Sequence, residues 1–238
     1  MMEQKKLMGC PCYNVKSKED VSAFLLNKIK EGKGGYTAAI NALKIVSYNE
    51  NPETKLFIDN SLIQTPDGFG AQLAYRLKQG EKVMKLDLPG LAMELAMEHK
   101  VNIFFLGTTE ENNKAAVEKA KEIYPGIPIV GRMNGFVKDI AELEKALKDS
   151  KPQIVMISMG SPRQEILSAE LNKKFSNIIF VGSGGRMDIL AGKLKRAPSW
   201  MQNNGLEWFY RFCQEPKRMF KGQVIGGLKF LKLLLIKS

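Results

Sequence analysis

Residues 154–165 have the sequence IVMISMGSPRQE, and this stretch predicts the kind of fold that the chain adopts. Its first half is a short apolar run rich in β-branched residues and followed by Gly160, which indicates a buried strand. Its second half predicts a helix from about Arg163, because a Ser-Pro pair favours the first turn of a helix. In an open α/β sheet, a strand whose polar loop opens a helix lies where ligands bind. The pattern fits an ordinary strand–loop–helix connection equally well.

The residues after the proline bring binding chemistry to this loop. The N-terminus of a helix offers unpaired backbone N–H groups and partial positive charge, and Arg163 adds a full charge beside them. Gln164 can both donate and accept hydrogen bonds, which suits a hydroxyl-rich ligand such as a sugar. Both side chains are therefore candidates for binding an anionic substrate that contains a sugar.

Predicted strands and helices alternate along the chain. Apolar runs predict strands at 36–40, 62–65, 101–106, 127–130, 154–157 and 178–181. Apolar residues at helical spacing predict helices that include 19–31, 71–77, 112–124 and 139–148. The chain is therefore expected to be α/β, with a mostly parallel, Rossmann-like sheet covered by helices and a basic amphipathic C-terminal helical appendage. The expected domains are an α/β core at 1–192 and the appendage at 193–238.

The loop TPDGFG at 65–70 follows one of these strands and contains Asp67. Pro-Asp-Gly is a favoured turn and Asp is a good helix cap, so its role could be purely structural. A carboxylate at this edge could instead act as a general base, and the neighbouring glycines would let a ligand approach the backbone. Taken alone, the loop favours the turn.

A second glycine-rich loop, GSGG at 182–185, leads to Asp188 at the same predicted edge. Its backbone N–H groups, including those of Gly184 and Gly185, could hold a diphosphate. The loop lacks the G-x-G-x-x-G pattern with a following ribose-binding acid, so NAD is not expected. No Asp-x-Asp pair occurs, so no metal site of the kind that holds sugar nucleotides is expected. The charge of a leaving diphosphate would then be met by Arg, Lys and helix N-termini.

The composition argues against several other classes of protein. Residues 1–8 are too polar for a signal peptide, and no apolar run reaches the roughly 18 to 20 residues of a membrane span. Three cysteines and one histidine form neither a disulfide framework nor a convincing zinc site. We therefore expect a cytoplasmic protein without a cofactor.

The positive charge is concentrated near the C-terminus. Residues 193–238 contain ten Lys or Arg and two Glu, and so carry most of the net charge of +11. Beyond Pro216, basic residues fall on one helical stripe and apolar residues, including Phe230 and Leu234, on the opposite side. This pattern fits a helix on an anionic membrane surface, and a helix packed on the domain or another subunit is the alternative. Nucleic acid is disfavoured, because the aromatic residues are grouped with Leu and Ile.

Four motifs follow one another along the chain. They are TPDG at 65–68, GSPRQE at 160–165, DILAGKLKRAP at 188–198, and GLEW at 205–208, the last followed by YR and EPKR. Each motif alone is weak, but their order and spacing are specific. Over nearly its whole length, the chain resembles the WecG/TagA/CpsF glycosyltransferases, glycosyltransferase family 26.

The resemblance implies an inverting, metal-independent transfer of a hexose from a UDP-sugar to a polyprenyl-diphosphate-linked sugar. N-acetylmannosamine or a related sugar is the expected donor group, and teichoic acid, capsule or other surface polysaccharide the product. The family's proposed general base falls on Asp67, and its substrate-binding Gln and Asn fall on Gln164 and Asn41. The appendage is expected to bind the inner face of the cell membrane and to bring Arg211 and Arg218 to the diphosphate.

Two positions depart from the family pattern. Ala39 stands where the teichoic acid enzymes carry Thr, and Arg186-Met187 stands where an aromatic residue is common. The donor sugar and the role of Arg186 therefore stay open, as does self-association. Two other functions are also considered: a non-catalytic sugar-nucleotide-binding scaffold of a membrane polysaccharide assembly, and an NAD-dependent sugar-nucleotide enzyme, which the missing fingerprint disfavours.

Overall fold

The computed structural model describes residues 2–203, 205–214, 216 and 225–236, apart from the side chains of residues 202, 203 and 211. The strands are β1 (Gln4–Leu7), β2 (Cys10–Tyr13), β3 (Gly35–Ile40), β4 (Ile63–Pro66), β5 (Ile103–Gly107), β6 (Ile129–Met133), β7 (Ile154–Ser158) and β8 (Ile179–Gly182). The helices are α1 (Lys18–Lys30), α2 (Ala42–Glu50), α3 (Pro52–Asp59), α4 (Gly68–Gln79), α5 (Leu88–His99), α6 (Glu110–Ile123), α7 (Ile140–Ser150), α8 (Arg163–Lys174), α9 (Arg186–Leu190), α10 (Ser199–Asn203), α11 (Glu207–Gln214) and α12 (Gly226–Ile236).

The predicted α/β, Rossmann-like fold is confirmed. Six strands form one sheet in the order β4-β3-β8-β7-β5-β6, and the pairings from β3 to β6 are parallel. Strands β5 and β7 are buried along their whole length, because helices cover both faces of a parallel sheet. This double burial is the reason that their sequences are continuously apolar.

The chain divides into two compact units. Unit 1 comprises residues 1–20, 38–86 and 196–238, and unit 2 comprises residues 21–37 and 87–195. Strand β3 is shared, since Gly35–Thr37 belong to unit 2 and Ala38–Ile40 to unit 1. The predicted boundary between a core at 1–192 and an appendage at 193–238 stays a prediction.

In unit 1, helix α12 is part of the hydrophobic core. Phe230 and Leu234 are buried in the same cluster as residues of the β1–β2 hairpin, α2, α3 and α4. Lys229 forms an ion pair with Glu50 of α2, with an Nζ to Oε2 distance of 2.7 Å. The other face of α12 is exposed, and Leu235 on it is 85% exposed. In the part of the chain described, no helix combines the length and apolar character that a bilayer crossing requires.

Two local features differ from the sequence-based expectation. Strands β1 and β2 form an antiparallel hairpin that was not predicted. Helix α3 is also not among the predicted helices, because an Asn-Pro pair usually marks a break between elements. Asn51 ends α2 and also caps α3, accepting a hydrogen bond from the Thr54 N–H at 2.8 Å, and Pro52 occupies the first turn of α3.

Candidate functional site

In unit 2, the carboxyl ends of three neighbouring parallel strands lie side by side. Gly107 of β5 pairs with Ser158 of β7, and Ile157 of β7 pairs with Gly182 of β8. The loops after these strands therefore emerge at one edge of the sheet, where open α/β sheets bind ligands. Helix α8 begins at Arg163, as predicted, and the Ser161–Pro162 peptide bond before it is cis.

Gln164 connects two of these loops. Its Oε1 atom accepts a hydrogen bond from the Gly184 N–H at 3.3 Å, and a Cβ atom added to Gly182 would lie 3.0 Å from its Nε2 atom. Ser158 Oγ donates to the Gly184 carbonyl in the same place. Two residues predicted separately from the sequence are thus in contact, and the Gln164 amide holds the glycine-rich loop.

The glycine-rich loop uses part of its own hydrogen-bonding capacity. The Ser183 N–H donates to a carbonyl of β7 at 2.8 Å, and the Gly184 N–H donates to Gln164. A Cβ atom added to Gly185 would be in ordinary contact with a leucine of the next segment. The N–H groups of Ser183 and Gly184 are therefore engaged within the protein, and diphosphate binding by this loop stays a prediction.

Asp188, expected near this loop, lies in the short helix α9 and contacts the end of β5. Its Oδ1 atom accepts hydrogen bonds from Thr108 Oγ1 and from Asn112 Nδ2, the latter at 3.0 Å. Thr108 adopts a positive φ of 52°, which is unusual for a β-branched residue. Its N–H donates to the Ser158 carbonyl at 2.8 Å, which keeps it at the carboxyl edge of the sheet.

An exposed aromatic residue at this edge was missed by the sequence analysis. Phe136 is 65% exposed and follows Gly135, whose N–H donates to the Thr108 carbonyl at 2.7 Å. Asn134 Oδ1 accepts the Phe136 N–H at 2.9 Å and so shapes the turn. The available signal was the Asn-Gly-Phe tripeptide directly after a strand, because Asn-Gly marks a tight turn.

The same turn is anchored by charged neighbours. Arg163 Nη2 donates to the Gly135 carbonyl at 3.2 Å. Glu110 accepts a hydrogen bond from Asn134 and forms an ion pair with Arg132, with a 2.6 Å Nη1 to Oε1 distance. The hydrogen bond from Arg132 is the largest cause that holds the pKa of Glu110 below its usual value. The turn is therefore held in place beside Thr108 and Asp188.

Arg186 is engaged within unit 2. Its Nη1 atom lies 2.8 Å from Asp87 Oδ2, and its side chain is only 16% exposed. Asp87 also caps α5 by accepting the Gly90 N–H at 3.2 Å. Burial raises the pKa of Tyr124, and the neighbouring Arg186 guanidinium opposes that rise. Arg186 thus links α9 to the start of α5, a structural role that its sequence left open.

In unit 1, Asn41 and Asp67 follow the adjacent strands β3 and β4. The Asp67 N–H donates to the Ile40 carbonyl at 2.9 Å, which places Asp67 next to the residue before Asn41. Asn41 caps α2 by accepting the Lys44 N–H at 3.0 Å. Asp67 occupies the cap position of α4 but makes no capping hydrogen bond with its side chain. Asp67 therefore lies where the turn was expected, its side chain does not cap α4, and its role as a general base stays a prediction.

Two glycines, Gly68 and Gly70, allow α2 and α4 to begin close together. Gly68 has a φ of +70°, a conformation that favours glycine, and it starts α4 three residues earlier than predicted. A Cβ atom added to Gly70 would lie 2.6 Å from the Ala42 Cβ atom at the start of α2. The N-termini of α2 and α4 are thus close, and both carry partial positive charge.

The C-terminal candidates are described only in part. Arg211 lies in α11, and Arg218 lies outside the described residues. Glu207 of the GLEW motif forms an ion pair with Lys85 within unit 1. A Cβ atom added to Gly205 would lie 2.5 Å from the Phe69 ring, so this motif packs on the residue two positions after Asp67. Within the described ranges, no group of three or more His, Cys, Asp or Glu that could hold a metal is found.

Comparison with known proteins identifies the family. A family model described as the glycosyl transferase WecG/TagA/CpsF family matches residues 5–238. N-acetylglucosaminyldiphosphoundecaprenol N-acetyl-beta-D-mannosaminyltransferase of Bacillus spizizenii strain W23 is 28% identical over 193 residues, or 80% of this chain and 75% of that enzyme. The enzyme of the same name from Bacillus subtilis strain 168 is 33% identical over 156 residues, or 64% of this chain and 61% of that enzyme. This chain therefore belongs to the WecG/TagA/CpsF family of glycosyl transferases.

Proposed function

We propose that this protein transfers N-acetylmannosamine or a related hexose from a UDP-sugar to a polyprenyl-diphosphate-linked N-acetylglucosamine. The two Bacillus relatives are named for this sugar and this lipid-linked acceptor, which supports the choice of both. The observation that carries the proposal is the clustering of Gln164, Asp188, Thr108 and Phe136 at one sheet edge. Such an edge is the usual nucleotide site of a Rossmann-like sheet.

In this proposal, the nucleotide lies on the unit 2 edge. The exposed Phe136 ring offers a flat apolar surface for a base to stack on. Both hydrogen bonds to Asp188 use Oδ1, so Oδ2 can accept from an N–H or hydroxyl donor of the nucleotide. Arg163 and the N-terminus of α8 are close to the same turn and supply positive charge for the diphosphate.

The reaction itself is a single displacement at the anomeric carbon. Asp67 takes the proton from an acceptor hydroxyl, whose oxygen attacks the anomeric carbon from the face opposite UDP. The bond between that carbon and the UDP oxygen breaks, and UDP leaves with the electron pair. A carboxylate is a common general base, and Asn41, which follows the neighbouring strand, can orient a sugar beside Asp67.

The decisive experiment measures UDP release from UDP-N-acetylmannosamine with a synthetic lipid-diphosphate-N-acetylglucosamine acceptor. Replacing Asp67 by Asn is expected to lower kcat by about 10²- to 10⁴-fold, the usual contribution of a general base, with UDP binding retained. Asp149→Asn, a change of the same kind at an exposed position in the last turn of α7, is the control. Near-normal turnover of the Asp67 variant would remove it as the base.

The same assay tests metal independence and the non-catalytic alternative. Because the sequence has no Asp-x-Asp pair, we expect release to continue in EDTA. Tight UDP binding without turnover on any lipid-linked acceptor would favour the scaffold protein. Turnover that depends on the chelated metal would contradict the metal-independent mechanism.

We also propose that α11 and α12, the C-terminal helices of unit 1, contact the anionic inner face of the cell membrane. Trp208 and Phe209 of α11 and Leu228 and Leu235 of α12 are all exposed, although other residues of α12 are buried. Aromatic and apolar side chains near lysines favour a bilayer interface with anionic lipid. Flotation with phosphatidylglycerol vesicles should exceed flotation with phosphatidylcholine vesicles, and Leu235→Asp should reduce it. Equal flotation with both lipids would contradict the proposal.

A further inference from the structure

Asn113 is a polar residue of α6 that is completely buried. Its Nδ2 atom donates to three backbone carbonyls: Phe105 at 3.3 Å, Gly107 at 3.0 Å and Met133 at 3.0 Å. It also lies 3.9 Å from the Met187 sulfur. An amide has two N–H donors, so the three carbonyls share them. One side chain therefore joins the ends of β5 and β6 and the start of α9.

Three of these four contacts adjoin the residues proposed to bind the nucleotide. Gly107 directly precedes Thr108, and Met187 directly precedes Asp188. Met133 ends β6 and leads into the turn that carries Phe136. The spacing of these side chains is thus set by backbone segments that all contact the same amide.

In the described part of the chain, the oxygen of the same amide makes no hydrogen bond that would offset its burial. Asn113 Oδ1 is buried and has no hydrogen-bond partner among the described residues. A buried acceptor without a partner destabilises the folded state, and native proteins rarely contain one without a reason. An apolar side chain would remove that cost but would leave three carbonyls without this donor, two of them in fully buried contacts. The amide is therefore explained by the positions of the segments that it joins.

We propose that Asn113 is a positioning residue that fixes the spacing of the β5 end, the β6 end and the start of α9. The consequence for ligand binding rests on the proposed function, since it assumes that these segments form the UDP site. Asn113 does not touch the ligand in this proposal. It acts through Thr108, the Phe136 turn and Asp188.

The test compares Asn113→Asp and Asn113→Leu with wild type and with Ala120→Gly. Ala120 is a matched control, because it is fully buried on the same helix, seven residues further along and on the same face. Two quantities are measured on the full chain: amide hydrogen exchange by mass spectrometry, and the Kd of UDP by calorimetry. Two Asn113 variants are used so that the test still stands if one of them does not fold.

In the Asn113 variants we expect faster exchange in residues 105–109, 131–137 and 185–190 together. We also expect a Kd for UDP raised about 10- to 100-fold, the change expected when one hydrogen bond to a charged group such as Asp188 is lost. Ala120→Gly should loosen α6 without this pattern. Exchange that rises only in α6, or equally in variant and control, would overturn the positioning role. If wild type binds no UDP, the proposed function fails, and the exchange pattern still decides the role of Asn113.

Discussion

The Asp188→Asn variant tests whether the Asp188 carboxylate binds the ligand or only stabilises the fold. Thr108 and Asn112 both donate to Oδ1 of Asp188, and neither contact uses Oδ2. Asn can keep an oxygen at the Oδ1 position and so keep both hydrogen bonds. It then places an NH₂ donor where the second carboxylate oxygen was. The variant therefore loses the proposed acceptor for the nucleotide while the frame around it is retained.

The expected size of the effect follows from the charge of the acceptor. A hydrogen bond to a charged group contributes about 1.5 to 3 kcal/mol, and each 1.4 kcal/mol corresponds to about a tenfold change in affinity. The Kd of UDP should therefore rise about 10- to 150-fold in Asp188→Asn. The midpoint of thermal unfolding should change little, because the hydrogen bonds from Thr108 and Asn112 to the Asp188 side chain keep an acceptor in the variant.

Calorimetric titration with UDP, together with thermal unfolding, measures both quantities. Asp149→Asn is again the control, because this exposed residue near the end of α7 lies just before β7 begins, at the opposite edge of the sheet. UDP affinity of Asp188→Asn within twofold of wild type would refute the assignment. A loss of affinity that is matched by a large fall in the unfolding midpoint would show that Asp188 is structural.

Three further results are expected. Gly70→Ala should destabilise the protein by about 1 to 2 kcal/mol in urea unfolding, because the new Cβ atom would lie 2.6 Å from a Cβ atom of α2. This overpacking outweighs the gain in helix propensity. Unchanged stability would mean that α4 shifts freely. Phe230→Ala should lower the free energy of unfolding by about 3 to 5 kcal/mol, because this side chain is buried in the core. Leu235→Ala should hardly change it, because Leu235 is exposed on the same helix. Equal effects of the two variants would contradict the packing of α12. At pH 8, iodoacetamide should modify the exposed Cys213. Burial raises the pKa of Cys10 to about 12 and keeps it a protonated, unreactive thiol. Rapid labelling of Cys10 in the folded chain would therefore contradict its burial.

The alternation of strands and helices was predictable from the sequence because its causes are local. Residues 154–157 are apolar and three of them are β-branched, and α8 begins at Arg163 where the Ser-Pro pair predicts it. The turn that contains Asp67 was found for the same reason, since Pro-Asp-Gly after an apolar run marks a strand end, whereas Asp67 as candidate base came from the family resemblance. The hairpin of β1 and β2 was missed, because its short strands include charged residues and a proline.

The membership and geometry of the site were decided by the tertiary structure. Thr108 and Asp188 are 80 positions apart in the chain, and Asn113 and Met187 are 74 apart, yet each pair is in contact. No spacing rule along the chain predicts such pairs, because they depend on strand order in the sheet. The sequence by itself determined the α/β class, the family and Asp67 as the candidate base. Only the packing of β5, β6, β7 and β8 decided that Thr108, Phe136 and Asn113 belong with Asp188, because parallel strands bring together loops that are distant in the chain.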